Sequence, residues 1–149
     1  MQNIPEFSLP ATGGTLFKSN KLKRKRLILY FYPKDNTPGC TTEAEQFRDH
    51  HAEVQRFDCD VIGISRDSIK SHENFKAKLG LPFELLSDNE EIACQLFAVI
   101  KMKNLYGKQV RGIERSTFLF DKKGKLLNEW RGVKVANHVH EVLEYLKSL

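Results

Sequence analysis

The stretch "LILYFY", residues 27–32, leaves this chain the fewest choices. It is a continuous apolar and aromatic run with no polar alternation, which fits a strand buried on both faces. Pro33 ends it, because a proline cannot continue a strand ladder. "DVIGIS" (60–65) reads as a second buried strand. Between them Thr41 or Thr42 opens a helix in which Phe47, Val54 and Phe57 recur at helical spacing. Asp67 or Ser68 caps another helix that runs to Leu79 and stops at Gly80. Strands joined through helices imply parallel crossovers.

The flanks add antiparallel pieces. "FSLP" followed by "ATGGTLF" reads as a short hairpin turning at Gly13–Gly14. After "LPFELLSD" a short helix is expected near 89–97, acidic in its first turn as the helix dipole prefers. Residues 98–113 read as loop and strand edges. "RSTFLFD" (115–121) and "LLNEWRG" (126–132) flank "KKGK" as a hairpin. Residues 137–149 place Val139, Val142, Leu143 and Leu146 on one face of a closing amphipathic helix. The expected fold is α/β: a mixed β-sheet flanked by helices on both faces, with an N-terminal β-hairpin. No repeat or linker divides the chain, so residues 1–149 read as one domain.

Composition excludes several functions. The 149 residues are 40% hydrophobic and 29% charged, enough for a core without a metal or disulfides. No apolar run approaches the ~20 residues of a membrane span. "MQNIPEFSLP" lacks the basic start and apolar segment of a signal peptide. Three cysteines, an odd number, argue against a disulfide framework and for a reducing compartment, the cytoplasm. Much of the net charge of +5 sits in "KLKRKR" (21–26), read as a solvated loop leading into a strand. Only Leu22 interrupts it, so it lacks the aromatic or hydrogen-bonding residues of a nucleic-acid site. "GGT" has no following Lys-Ser/Thr and is no phosphate loop. His50–His51 and His138/His140 have no third ligand at metal spacing and read as surface or capping residues, so no metal and no cofactor is expected.

The chemistry concentrates in "YPKDNTPGCTTEAEQF" (32–47). Cys40 stands at the first turn of a helix, where free backbone N–H groups and the dipole favour a thiolate, the nucleophilic form. Thr37 offers a hydroxyl toward the sulfur or a substrate oxygen. Pro38 has no N–H and fixes φ, walling one side. Gly39 permits close backbone approach. Glu43 lies on the same helical face as Cys40 and would oppose a thiolate unless paired. The other reading of Cys40 is a buried structural cysteine.

The stretch "YFYPKDNTPGCTTEAEQFRD", with Pro33, Thr37 and Cys40 at P-x-x-x-T-x-x-C spacing, resembles the active-site signature of the peroxiredoxins. It is most similar to the bacterioferritin comigratory protein, or peroxiredoxin Q, subfamily. "FSLP", "VIGIS", "SHENF", "LPFELLSD", "YGK" and "GIERSTFLFDKKGK" extend the likeness in order over nearly the whole chain. The resemblance implies a thioredoxin-like fold and peroxide reduction by Cys40. It further implies a pocket shaped by Thr37 and Pro38, and Arg115 facing the sulfur with Glu43 pairing and orienting it. It favours a monomer, with a thioredoxin, a glutaredoxin or a low-molecular-weight thiol as the reducing partner.

The sequence departs from the subfamily in its resolving cysteine. Many relatives carry one five residues after the peroxidatic cysteine, where this chain has Glu45. Others carry it in the next helix, but "SHENFKAK" has none. Cys59 opens the "CDVIGIS" strand and reads as structural. Helical rotation sets Cys94 well away from the cluster of Ile92, Ala93, Leu96 and Phe97, so partial exposure is expected there. Reaching Cys40 would still require local unfolding, because a disulfide needs Cα atoms within about 7 Å. The leading expectation is a one-cysteine cycle, with a two-cysteine cycle resolved by Cys94 as the alternative. A thiol–disulfide oxidoreductase is disfavoured, since Cys40 is followed by Thr-Thr-Glu and not by C-x-x-C. A non-catalytic binding or holdase module using the basic surface is the non-enzymatic alternative.

Overall fold

The computed structural model describes residues 1–22 and 24–149. Its centre is a seven-stranded sheet in the order β2-β1-β5-β4-β3-β8-β9. The strands are β1 Ser8–Ala11, β2 Thr15–Lys18, β3 Arg26–Phe31, β4 Cys59–Ser65, β5 Leu85–Ser87, β8 Ser116–Phe120 and β9 Leu126–Arg131. β3, β4 and β5 are parallel neighbours, while β1, β2, β8 and β9 pair antiparallel. A separate two-stranded hairpin joins β6 Ile100–Leu105 to β7 Lys108–Ile113. The helices are α1 Pro38–Asp49, α2 His51–Arg56, α3 Ile69–Leu79, α4 Ile92–Leu96 and α5 His138–Lys147.

β3 shows why its sequence is apolar throughout. Ile28, Tyr30 and Tyr32 point into one core, and Leu27, Leu29 and Phe31 into the other. The first core is closed by Phe47 of α1, Val54 of α2, Phe75 of α3 and Val139, Val142, Leu143 and Leu146 of α5. The second is closed by Phe7 of the N-terminal segment, by Ala93 and Cys94 of α4, and by Phe97 and Val99 just beyond it. Gly63 makes room for the central aromatic stack. A Cβ there would lie 2.9 Å from the Tyr30 ring and 2.8 Å from Leu85. Tyr30 can therefore lie against both Tyr32 and Phe47, with ring centroids 5.5 and 4.7 Å away.

Several boundaries move. The helix expected from Thr41 or Thr42 begins at Pro38, with Thr37 as its cap. Proline suits the first helical position, where its missing N–H costs nothing. The long helix breaks at His50, so Val54 belongs to α2 and Phe57 caps it. Ser68 caps α3 through its side chain, and Gly80 ends it in the left-handed region at φ 64°. The residues read as ambiguous over 98–113 form the β6–β7 hairpin. "LLS" forms the short strand β5, buried in all its residues. α4 is shorter than expected and has no acid in its first turn, because Glu90 and Glu91 precede it and Glu91 caps it. The basic segment is largely exposed at Lys21 and Arg24 before Arg26 enters β3; Lys23 lies outside the described residues. Among the described residues no helix is long and apolar enough to cross a membrane.

Candidate active site

The parallel strand β3 delivers the chain to the sheet's C-terminal edge, where Pro33 turns it into a loop that ends in α1. The first bond of α1 runs from the Thr41 N–H to the Thr37 carbonyl at 2.9 Å. Pro38 has no N–H, so the Gly39 and Cys40 N–H groups lie ahead of the helical ladder. Among the described residues no side chain caps them. Cys40 therefore sits at a helix mouth with unpaired donors and the positive end of a helix dipole beside it.

Arg115, between β7 and β8, completes the arrangement from a distant part of the chain. Its Nη1 donates to Glu43 Oε1 at 2.7 Å, and its Nη2 lies 3.5 Å from Cys40 Sγ. One guanidinium thus bridges the carboxylate and the sulfur, which a planar fork of donors can do and an ammonium cannot. Gly39 permits this approach, since a Cβ at that position would stand 3.2 Å from Arg115 Nη2. The Arg115 carbonyl accepts from the Val133 N–H at 2.9 Å, fixing its backbone. Glu43 is fully buried, and its second oxygen, Oε2, has no partner among the described residues. Burial pushes its carboxyl up to about 7 against the opposing pull of Arg115. Arg115 itself is held above the ordinary arginine range, where the charges of Glu43 and Cys40 outweigh burial. The carboxyl holds its proton the more readily because one of its oxygens is buried with nothing to stabilise charge there.

Thr37 departs from expectation. Its hydroxyl donates to the Lys34 carbonyl at 2.8 Å, so its proton is committed and its oxygen is left as an acceptor. Pro33 and Pro38 bracket the loop as expected, at the end of β3 and the start of α1.

Two groups near the site were not legible in the sequence. Lys103 of β6 donates to the Ile113 carbonyl at 2.7 Å. Burial and then the Arg115 charge hold its ammonium below the usual lysine range. It was hidden in a segment with no helical or strand period. His138 was expected at the surface or as a helix cap and is instead 3% exposed, with its ring bonded to another strand. Its Nε2 lies 2.8 Å from Thr117 Oγ1, and burial followed by Arg115 lowers it to about 4, so it is neutral. The Val139 face of α5 turns His138 inward with it, onto Phe47 and Trp130. His50 and His140 are exposed as expected.

Cys94 also corrects the expectation. It is fully buried, whereas Ile92 and Leu96 are 44% and 46% exposed. α4 is only five residues long and is oriented by Phe97, which packs on Phe31, Phe118 and Phe7. That anchor turns Ala93 and Cys94 inward. Burial and then Asp88 push the Cys94 thiol far up. Cys59 is likewise buried and pushed up to about 12.

The AhpC/TSA family pattern matches residues 1–128. The chain belongs to that family. It is 49% identical to the peroxiredoxin Bcp of Bacillus subtilis over 148 residues, covering 99% of this chain and 94% of that one. It is 50% identical to the peroxiredoxin Bcp of Xanthomonas campestris over 144 residues, 95% of this chain and 90% of the relative. A solved structure of Xanthomonas campestris peroxiredoxin Q superposes with a TM-score of 0.90 at 49% identity, covering 95% of this chain and 90% of that one. The Mycobacterium tuberculosis BcpB structure does so with a TM-score of 0.88 at 29% identity, covering 100% and 98%. As a peroxiredoxin of the Bcp/Q kind, this chain is a thiol peroxidase with a thioredoxin-like fold.

Proposed function

We propose that Cys40 is the peroxidatic nucleophile and that Arg115, Thr37, Pro38 and the helix-mouth N–H groups form its peroxide pocket. The observation that carries this reading is the Arg115 guanidinium bridging Glu43 and the Cys40 sulfur. The thiolate attacks the terminal peroxide oxygen in line with the O–O bond. A sulfur–oxygen bond forms, the O–O bond breaks, and negative charge passes to the departing oxygen. Arg115 and the Cys40 N–H are aimed where that charge develops, in a site with little water. Thr37 Oγ1, its own proton donated to the Lys34 carbonyl, accepts from the peroxide O–H and orients it. Pro38 walls the pocket, Gly39 admits the guanidinium, Pro33 directs the loop, and Glu43 orients Arg115. The products are a Cys40 sulfenic acid and, once the leaving oxygen is protonated, an alcohol or water.

The substrates are hydrogen peroxide and organic hydroperoxides. Support comes from a related Xanthomonas campestris protein whose structures concern alkyl peroxide reduction. We read the cycle as one-cysteine. Cys40 belongs to one core and Cys94 to the other, with the sheet between them. Two external thiols then reduce the sulfenic acid, yielding their disulfide and water. A thioredoxin, a glutaredoxin or a small thiol fits this need. The 1–149 chain acts as one domain and a monomer in the cytoplasm, in antioxidant defence. The alternative, resolution by Cys94, requires α4 to leave the second core.

Trapping the peroxide-treated protein with a sulfenic-acid reagent, followed by peptide mapping, tests both halves. The expected result is the adduct on Cys40. A Cys40–Cys94 disulfide would establish the two-cysteine cycle, and modification elsewhere with Cys40 untouched would sink the nucleophile assignment.

A further inference from the structure

The loop between β3 and α1 contains a buried charged residue that the chemistry above does not use. Asp35, two positions before the helix cap Thr37, is 4% exposed, and its partner His72 in the first turn of α3 is fully buried. Tyr32 donates its hydroxyl to Asp35 Oδ1 at 2.6 Å. Ser71 donates to Oδ2 at 2.8 Å, and His72 Nδ1 lies 2.7 Å from the same oxygen. On its far side, His72 Nε2 is 2.9 Å from the Leu86 carbonyl of β5. The Asp35 N–H donates to Asp67 Oδ2 at 2.9 Å, and Asp67 is in turn held by Ser65 at 2.5 Å. The loop that leads to Cys40 is thus tied to the end of β3, the β4–α3 turn, α3 and β5.

The proton positions follow from what each group can do. A carbonyl only accepts, so Nε2 carries a proton. The Nδ1–Oδ2 contact shares a second. Burial alone would raise the Asp35 carboxyl, but the bonds from His72 and Tyr32 prevail and hold it below the ordinary range. The ring thus bridges the Asp35 carboxyl and the Leu86 carbonyl through one proton at each contact. The ligating atoms of Asp35, Asp67 and His72 lie within 4.8 Å of one another. They do not make a cation site, because both Asp35 oxygens and Asp67 Oδ2 already face hydrogen donors.

We propose that His72 and Asp35 are positioning residues for the peroxide step, whose buried hydrogen-bonded pair locks loop 33–37 and the Cys40 helix mouth in the peroxide-receiving geometry. The same lock opposes reduction. Cys40 is 1% exposed, which admits a small peroxide but not a thiol carried on a peptide or protein. Reduction requires the loop and the first turn of α1 to move. Asn36, held at φ 63° in the left-handed region, is the point where the tied loop turns toward the helix. Removing one partner leaves buried polar atoms unpaired, which is unfavourable, and opening the loop relieves it. The two half-reactions therefore respond in opposite directions, which general destabilisation does not produce. The inference rests on Cys40 as the nucleophile, which Cys40→Ser tests separately.

The test compares the parent with Asp35→Asn and His72→Gln. Single-turnover oxidation of Cys40 by hydrogen peroxide is measured beside alkylation of each cysteine by a bulky maleimide, mapped by peptide. The expected result is oxidation slowed about 10–100-fold by misplacement of the reacting groups. Cys40 alkylation should rise several-fold, with Cys59 and Cys94 as protected as in the parent. Unchanged oxidation, unchanged Cys40 protection, or all three cysteines opening together each overturns the proposal. Should the variants fail to fold, nitrogen NMR of the parent at pH 7 decides. Ring N–H protons on His72 that exchange slowly with water support the lock, and a ring whose N–H protons exchange freely overturns it.

Discussion

Cys40 and Cys94 are equally hidden, at 1% and 0% exposure, yet their surroundings oppose each other. Around Cys40 stand a guanidinium at 3.5 Å and the free N–H groups of a helix start. Beside Cys94 stands the Asp88 carboxylate, which accepts from the Cys94 backbone N–H at 2.8 Å. One sulfur faces positive groups, and the other faces a carboxylate and an apolar core that hold its thiol far up. Burial alone does not make a cysteine inert or reactive; the sign of the charge against it does.

The sharpest way to break that contrast is to exchange the two cysteines' fates. Cys40→Ser should abolish peroxide turnover while circular dichroism stays that of the parent. Cys94→Ala should keep at least half of the turnover with a small thiol as reductant and lower Tm by a few degrees through lost packing. Loss of turnover in the Cys94 variant, with the fold intact, would place Cys94 in the cycle.

Next in size, Arg115→Ala removes the positive group that distinguishes the two sites. Cys40 oxidation by peroxide should slow about 10²–10³-fold, the usual loss when one stabilising donor is removed. A rate equal to the parent's would mean that Arg115 does not act on the sulfur. Arg115→Lys should recover only part of the rate, because an ammonium cannot span Glu43 and the sulfur together.

Glu43 gives a pH test of intermediate size. Its folded value, about 7, lies above the ordinary carboxylate value of 4.5. Between those two pH values the folded state holds a proton that the unfolded state has released. Stability from this group is therefore greatest below 4.5, falls as pH rises, and levels off above about 7. Glu43→Gln should flatten that decline in denaturant melts taken from pH 4.5 to 7.5. An unchanged slope would show that Glu43 ionises normally and that Arg115 has fully compensated its burial.

The smallest expected effect is that of Gly39→Ala. The new methyl meets Arg115 Nη2 at 3.2 Å, so the guanidinium must shift by a few tenths of an ångström. Peroxide oxidation should slow several-fold while Tm holds or rises, since alanine is the better helix former. A faster enzyme would show that the close approach is not needed.

Much of this was readable from local pattern. The run 27–32, the Gly13–Gly14 turn, the Ser68 and Gly80 caps and the face of α5 are signals a few residues long, and each appears in the structure. Cys40 at a helix mouth was equally legible, because Pro38 and Gly39 stand beside it in sequence. The orientation of α4 was not. Over five residues the apolar pattern of Ile92, Ala93, Leu96 and Phe97 fits two rotations, and contacts with Phe31 and Phe118 choose between them. His138 was misplaced for a similar reason, since what buries it is Thr117, Trp130 and Phe47 from other elements.

The sequence by itself determined the buried strands β3 and β4, the Ser68 cap of α3 and the residue types that peroxide chemistry needs. Those depend on backbone geometry and on neighbours within a turn. The tertiary structure decided which charges meet. Arg115 reaches Cys40 and Glu43 from the start of the neighbouring strand β8, His72 reaches Asp35 from α3, and Cys94 is sealed in the opposite core. Charge–charge and packing energies depend on distance in space, which separation along the chain does not encode.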